Sequence, residues 1–267
     1  MEITNAYNKR NTFMLTLRHE LIENRKALLL GLASIWGIFM LVGALFGLSG
    51  SHGGPGEIAF IFFAFMAISC VTASLTFSNM KTKQGRISAI MLPSTAFDKF
   101  MVRWIAFVPV LIVVLVAGMY ICDLSRILVY WLRDYPQIIN GRNGMDIINP
   151  WARIVSNPYG EIMAFILAAS FLLNQAIYML GSALWPKLSF FKTLLAQWCL
   201  ETVLIFIIVI IDSIFDIEFS LDFLNFVNNH GEGILISIGV LEVLITLGVY
   251  ILAYLRFRKN QVIYKLF

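Results

Sequence analysis

Ala27 to Leu48 reads ALLLGLASIWGIFMLVGALFGL, a stretch of twenty-two residues without a single charge. A helix rises about 1.5 Å per residue, so about 20 apolar residues cross a hydrocarbon layer of roughly 30 Å. This stretch is too long for the core of a signal peptide, and no A-x-A cleavage site closes it. It is expected to remain as a membrane span. Composition agrees: of 267 residues, 59% are hydrophobic and 13% charged, against about 25% charged in an average soluble domain. Disorder is excluded, because it needs low hydrophobicity and high net charge.

Five further apolar runs follow: Ile58–Phe77, Ile105–Cys122, Ile162–Trp185, Leu194–Ile211 and Ile234–Leu255. The expected fold is all-α, a single transmembrane domain of six helices over residues 1–267 with no soluble domain. Cations orient it. The first segment carries Lys9, Arg10, Arg18, Arg25 and Lys26; the second loop Lys81, Lys83, Arg86, Lys99 and Arg103; the fourth Lys187 and Lys192; the tail Arg256, Arg258, Lys259 and Lys265. Only Arg126, Arg133, Arg142 and Arg153 fall on the other side. The positive-inside rule then places both termini of this multi-pass protein in the cytoplasm. The basic face meets anionic headgroups, so nucleic acid is not called for as a partner.

Three segments are expected to be helical without crossing. Thr12–Arg25 places Phe13, Met14, Leu17 and Leu21 on one stripe, with Thr16, His19, Glu20 and Glu23 opposite, as in an interfacial helix. Between the second and third spans, Ile87, Ile90 and Met91 recur at helical spacing until Pro93. Thr95 and Asp98 then form a capping box, and Phe97, Phe100, Met101 and Trp104 carry a second helix into the third span. An apolar stripe on such a charged loop calls for lipid or a protein partner. In the fifth loop, Ile217–Val227 fits a short helix dipping into the opposite leaflet. The third loop, 123–161, begins with Leu124, Ile127, Leu128 and Trp131 at helical spacing and is read as turn-rich around Asn140–Gly144.

Few residues point to chemistry. Gly47-Leu48-Ser49-Gly50 superficially resembles the G-x-S-G of intramembrane serine proteases, but no histidine lies within a span to serve as base. His52 with Glu57 and His230 with Glu232 sit in unrelated loops without ligand spacing, so no metal is expected. Cys70, Cys122 and Cys199 are expected to be buried thiols rather than a disulfide framework. The chain contains no phosphate-loop motif, and no catalytic residue or cofactor is assigned to it. The intramembrane polar residues are Asn174, Gln175, Glu201 and Glu242. Such groups line a translocation path or hold helices together. The amides favour the second role; the glutamates leave both open.

The plan as a whole resembles the membrane subunit of type-2 ABC exporters. The resemblance rests on a basic stretch Lys81-x-Lys83-x-Gly85-Arg86, an apolar helix Ile87–Leu92, the break Leu92-Pro93-Ser94 and the charged entry Asp98-Lys99. It implies a permease that dimerises, with itself or a related chain, and pairs with two ATPase subunits that hold ATP and magnesium. It also implies that Arg86, Ile87, Ile90, Met91, Pro93, Asp98 and Lys99 couple the permease to the ATPase. The competing class is a non-transporting membrane protein, such as an immunity, sensor or assembly factor.

Overall fold

The computed structural model describes residues 2–50, 55–82, 84–85, 87, 91, 94–133, 138–139, 142–143, 147, 160–185, 187–215 and 219–260. Helices dominate: α1 (Glu2–Glu23), α2 (Arg25–Leu48), α3 (Pro55–Ser74), α4 (Ala96–Phe107), α5 (Pro109–Leu132), α6 (Gly160–Leu184), α7 (Ser189–Phe215) and α8 (Phe219–Asn260). A 3-10 turn covers Ser78–Lys81, and a hairpin pairs Ile138 with Asn143 and Ile139 with Arg142. Six stretches are long and apolar enough to cross a membrane. They correspond one to one with the six runs read from the sequence, and the chain is a multi-pass membrane protein.

It divides into two compact units, residues 1–72 with 87–150, and 73–86 with 151–267. In the first unit α2 packs along α5, and the contact is close because its residues are small. A Cβ on Gly43 would overlap the backbone oxygen of Cys122, and one on Gly47 would fall 2.7 Å from the Cβ of Val129. Ser125 Oγ shares its hydrogen between Met40 O at 3.0 Å and Cys122 O at 2.8 Å, and Trp36 Nε1 donates to Val114 O at 3.1 Å. Without a hydrophobic drive in lipid, such backbone approach and interhelical hydrogen bonding hold helices together. In the second unit α6 packs on α8, with α7 against α6.

Three expectations change. The third span does not end at Cys122; α5 continues to Leu132, because Asp123 and Arg126 neutralise each other within the helix. Arg126 Nε and Nη2 each lie 2.8 Å from Asp123 Oδ1, and the side chains are 3% and 7% exposed. Nor does α4 run straight into that span. Pro109 has no N–H and occupies the first position of α5, with a distorted Val108 (φ −109°, ψ −79°) before it.

The polar side of α1 is divided. Thr16 is buried, and Glu20 Oε1 accepts from Arg103 of α4 at 3.1 and 3.3 Å, while Met14, Leu15, Leu21 and Ile22 stay exposed. A largely buried guanidinium on α4 requires a carboxylate, so Thr16 and Glu20 turn toward α4, while His19 and Glu23 of the same polar face and Met14 and Leu21 of the apolar stripe stay exposed. Finally, Ile217–Val227 is not a separate helix. From Phe219 the backbone runs unbroken into the last span, since Gly231 and Gly233 alone do not stop a helix. Residues 216–218 lie outside the described residues.

Candidate functional site: a polar chain across three spans

Three of the four intramembrane polar residues singled out in the sequence, Asn174, Glu201 and Glu242, meet in the second unit. Near the middle of α6, Ser170 Oγ donates to the Glu242 carboxylate of α8, at 3.0 and 2.9 Å from its two oxygens. Asn174, one turn on, donates from Nδ2 to the Ser170 carbonyl at 2.9 Å. Its Oδ1 accepts from Gln197 Nε2 of α7 at 3.2 Å, and the same Nε2 lies 3.0 Å from Glu201 Oε1. Glu242, Ser170, Asn174, Gln197 and Glu201 thus bridge α8, α6 and α7. The helical periodicity explains the alignment, since 170 and 174, and 197 and 201, each lie four residues apart on one helix face.

The two ends differ. Glu242 is partly buried and faces α6, and Thr246 one turn on donates back to its carbonyl at 2.7 Å. Glu201 is exposed along α7, flanked by Leu200, Val203, Leu204 and Ile205, which are also exposed. A carboxylate at that depth facing hydrocarbon is costly, so Glu201 calls for protein, water or a proton. Gln197 keeps its Oε1 buried without a hydrogen-bond partner, and Gln175 is almost fully buried on the same helix as Asn174. The chain of bonds passes through the Ser170 main-chain carbonyl, which carries no exchangeable proton. The arrangement therefore positions helices and carboxylates rather than conducting protons end to end.

No protein family, curated protein or solved structure matches the chain. Its own residues carry the functional reading.

Sequence reasoning missed Ser170 and Gln197. Small polar residues are common in spans, and only the rotation of α6 against α7 and α8 brings them onto the carboxylates. It also missed the Asp123–Arg126 pair, with Arg126 lying 5.9 Å over the Tyr130 ring; the signal was an i,i+3 pair of opposite charges inside an otherwise apolar helix. Glu57, read as a loop residue, is buried in the first turn of α3 and close enough to act electrostatically on Cys122.

Among the loop residues assigned to ATPase coupling, Ile87 and Met91 are exposed, at 39% and 78%. The Thr95 half of the cap forms, its Oγ1 accepting from the Asp98 amide at 3.1 Å. Asp98 itself is buried, 6% exposed, which removes it from any exposed polar rim; the helix it starts packs that side inward. Lys99 is partly buried. Arg86, Ile90 and Pro93 lie outside the described residues in their side chains, as does His52. Of the three thiols Cys122 is buried and Cys70 half-buried, but Cys199 is exposed on α7, where apolar surroundings replace a packed core. No group of three metal-ligating side chains occurs among the described residues.

If the chain of bonds holds the unit together, Glu242→Leu should lower stability by about 0.6–1.7 kcal/mol, the range of interhelical hydrogen bonds in membranes. Glu242→Gln keeps an acceptor for Ser170 and should stay close to the parent. Thermal unfolding of the purified protein in detergent measures both; equal stability of all three proteins denies the bond a structural role.

Proposed function

We propose that the chain is the membrane permease of an ATP-driven exporter, working as a dimer with separate ATPase subunits that bind ATP and magnesium. The observation that carries this reading is the exposure of Ile87 and Met91 on the segment leading into the capped helix α4. These apolar side chains keep part of their surface exposed, Met91 most of it, on a loop that the cation distribution assigns to the cytoplasm with both termini. An ATPase groove supplies their cover. Exposed Glu201 supports the second half of the proposal, since a second permease copy would place this carboxylate along a wet path between subunits instead of against lipid. Gln197 and Asn174 would hold it there, with Glu242 anchoring the far end.

Docking predicts a sharp effect at Ile90. Truncating a buried anchor typically costs about 1–4 kcal/mol of binding, and Ile90→Asp adds an unpaired carboxylate to the groove. The variant should insert and dimerise normally, yet recover little of a co-expressed ATPase subunit and lose the associated hydrolysis. The measurement is co-purification with that ATPase followed by ATP turnover. Equal recovery of the ATPase by parent and variant rejects coupling through this loop. The absence of any ATPase partner would favour a non-transporting membrane protein.

A further inference from the structure

We propose that the paired ends of α6 and α8 hold one anionic phospholipid, with an acyl chain in an apolar groove and its phosphate on three cations. The groove has a volume of about 610 Å³. Leu180 and Leu184, one turn apart on α6, form one wall, and Leu252 and Leu255 of α8 form the other. Arg256, Arg258 and Lys259 close it at the end of α8. Leu252, Leu255, Arg256 and Lys259 recur at 0, 3, 4 and 7, so one face of α8 changes from leucine to cation as it leaves the apolar layer. That order, hydrocarbon first and positive charge at its end, matches a lipid rather than a soluble anion.

A second observation points to an acceptor that the described residues do not supply. Arg256 Nε is buried and has no hydrogen-bond partner, and none of the three cations joins an ion pair among the described residues. A buried guanidinium N–H without an acceptor is costly. A phosphate oxygen satisfies it, with the fork geometry that arginine offers such groups. Cations at a helix C-terminus also offset its dipole, and that role explains Arg258 and Lys259. It does not explain a buried Nε lacking an acceptor, or the groove beneath it. Basic pockets between spans are a known way to hold anionic headgroups. The proposal is independent of the exporter reading, because it needs neither a dimer nor an ATPase.

The test uses the full-length protein in detergent, titrated with phosphatidylglycerol, with phosphatidylcholine and with inorganic phosphate. Native mass spectrometry counts bound lipid. The parent should retain phosphatidylglycerol in preference to phosphatidylcholine. Each cation near an anionic surface contributes a factor of about five, so Arg256→Gln combined with Lys259→Gln should weaken retention roughly 30-fold. Lys187→Gln combined with Lys192→Gln removes as much charge from residues that do not line the groove and should leave retention unchanged. Leu184→Trp, which fills the groove and keeps all three cations, should also weaken it. Size-exclusion profiles confirm that each variant is folded. The proposal is overturned if both lipids bind alike, if the two charge-removing variants behave alike, or if Leu184→Trp binds as the parent does. It is also overturned if inorganic phosphate displaces the lipid at equal concentration, since the site would then be one for a free anion.

Discussion

Replacing Asp123 by leucine should be among the most damaging single changes in this protein, lowering its stability by about 3–5 kcal/mol. Asp123 and Arg126 lie 2.8 Å apart and are almost fully enclosed on α5. Their mutual attraction offsets the loss of water by each, so removing the carboxylate takes from the buried guanidinium the acceptor of its Nε and Nη2. The expected result is a much lower yield of folded protein and a large fall in unfolding temperature. Removing both charges tests the cause. Asp123→Leu with Arg126→Met replaces the pair by apolar groups of similar size, an exchange that is often neutral or stabilising. The double variant should recover most of the loss, and a double variant as unstable as Asp123→Leu would show that shape, not charge, matters here. The exposed His19–Glu23 pair provides a contrast: its side chains are 49% and 55% exposed. Glu23→Gln should change stability by less than about 1 kcal/mol, as is usual for surface pairs.

The same pair explains where the sequence was readable and where it was not. The absence of charge over about twenty residues is a local property, so Ala27–Leu48 and the other five runs could be found without knowing any contact. Where a span continues past a charge depends on whether that charge is neutralised, and for α5 this rests on one aspartate and one arginine three residues apart. The packing partner of α1 was hidden for a related reason. Its apolar stripe is real, but a buried Arg103 on α4, eighty-three residues away, takes Glu20 as its partner and sets the rotation of the helix. The polar residues of the three-span chain were legible by type, since carboxylates and amides are conspicuous in apolar helices. Which of them touch was not, because Ser170 and Gln197 carry no signal of their own. Thr95 was legible both as a residue and as a contact, since capping is decided within four residues of sequence.

A single methyl group on Gly43 should be as harmful as the loss of Asp123. Gly43 lies where α2 approaches α5 most closely, and a Cβ there would meet the backbone oxygen and carbonyl carbon of Cys122 and the hydroxyl of Ser125. A side-chain end could swing aside, but the obstacle here is helix backbone, so the two helices must separate along part of their length. Separation would also break the Ser125 bond to Met40. Overpacking in a fixed core costs about 1–3 kcal/mol, and displacing backbone places Gly43→Ala at or above the upper end of that range. Two glycines of the same helix serve as controls, because a Cβ at Gly31 or at Gly37 would meet nothing within 4 Å. Alanine at either should be neutral or mildly stabilising, as it raises helix propensity by about 0.8–1.0 kcal/mol. Unfolding temperatures of the three alanine variants decide the matter. If all three behave alike, the loss or gain reflects helix propensity alone, and α2 does not rely on Gly43 for its contact with α5.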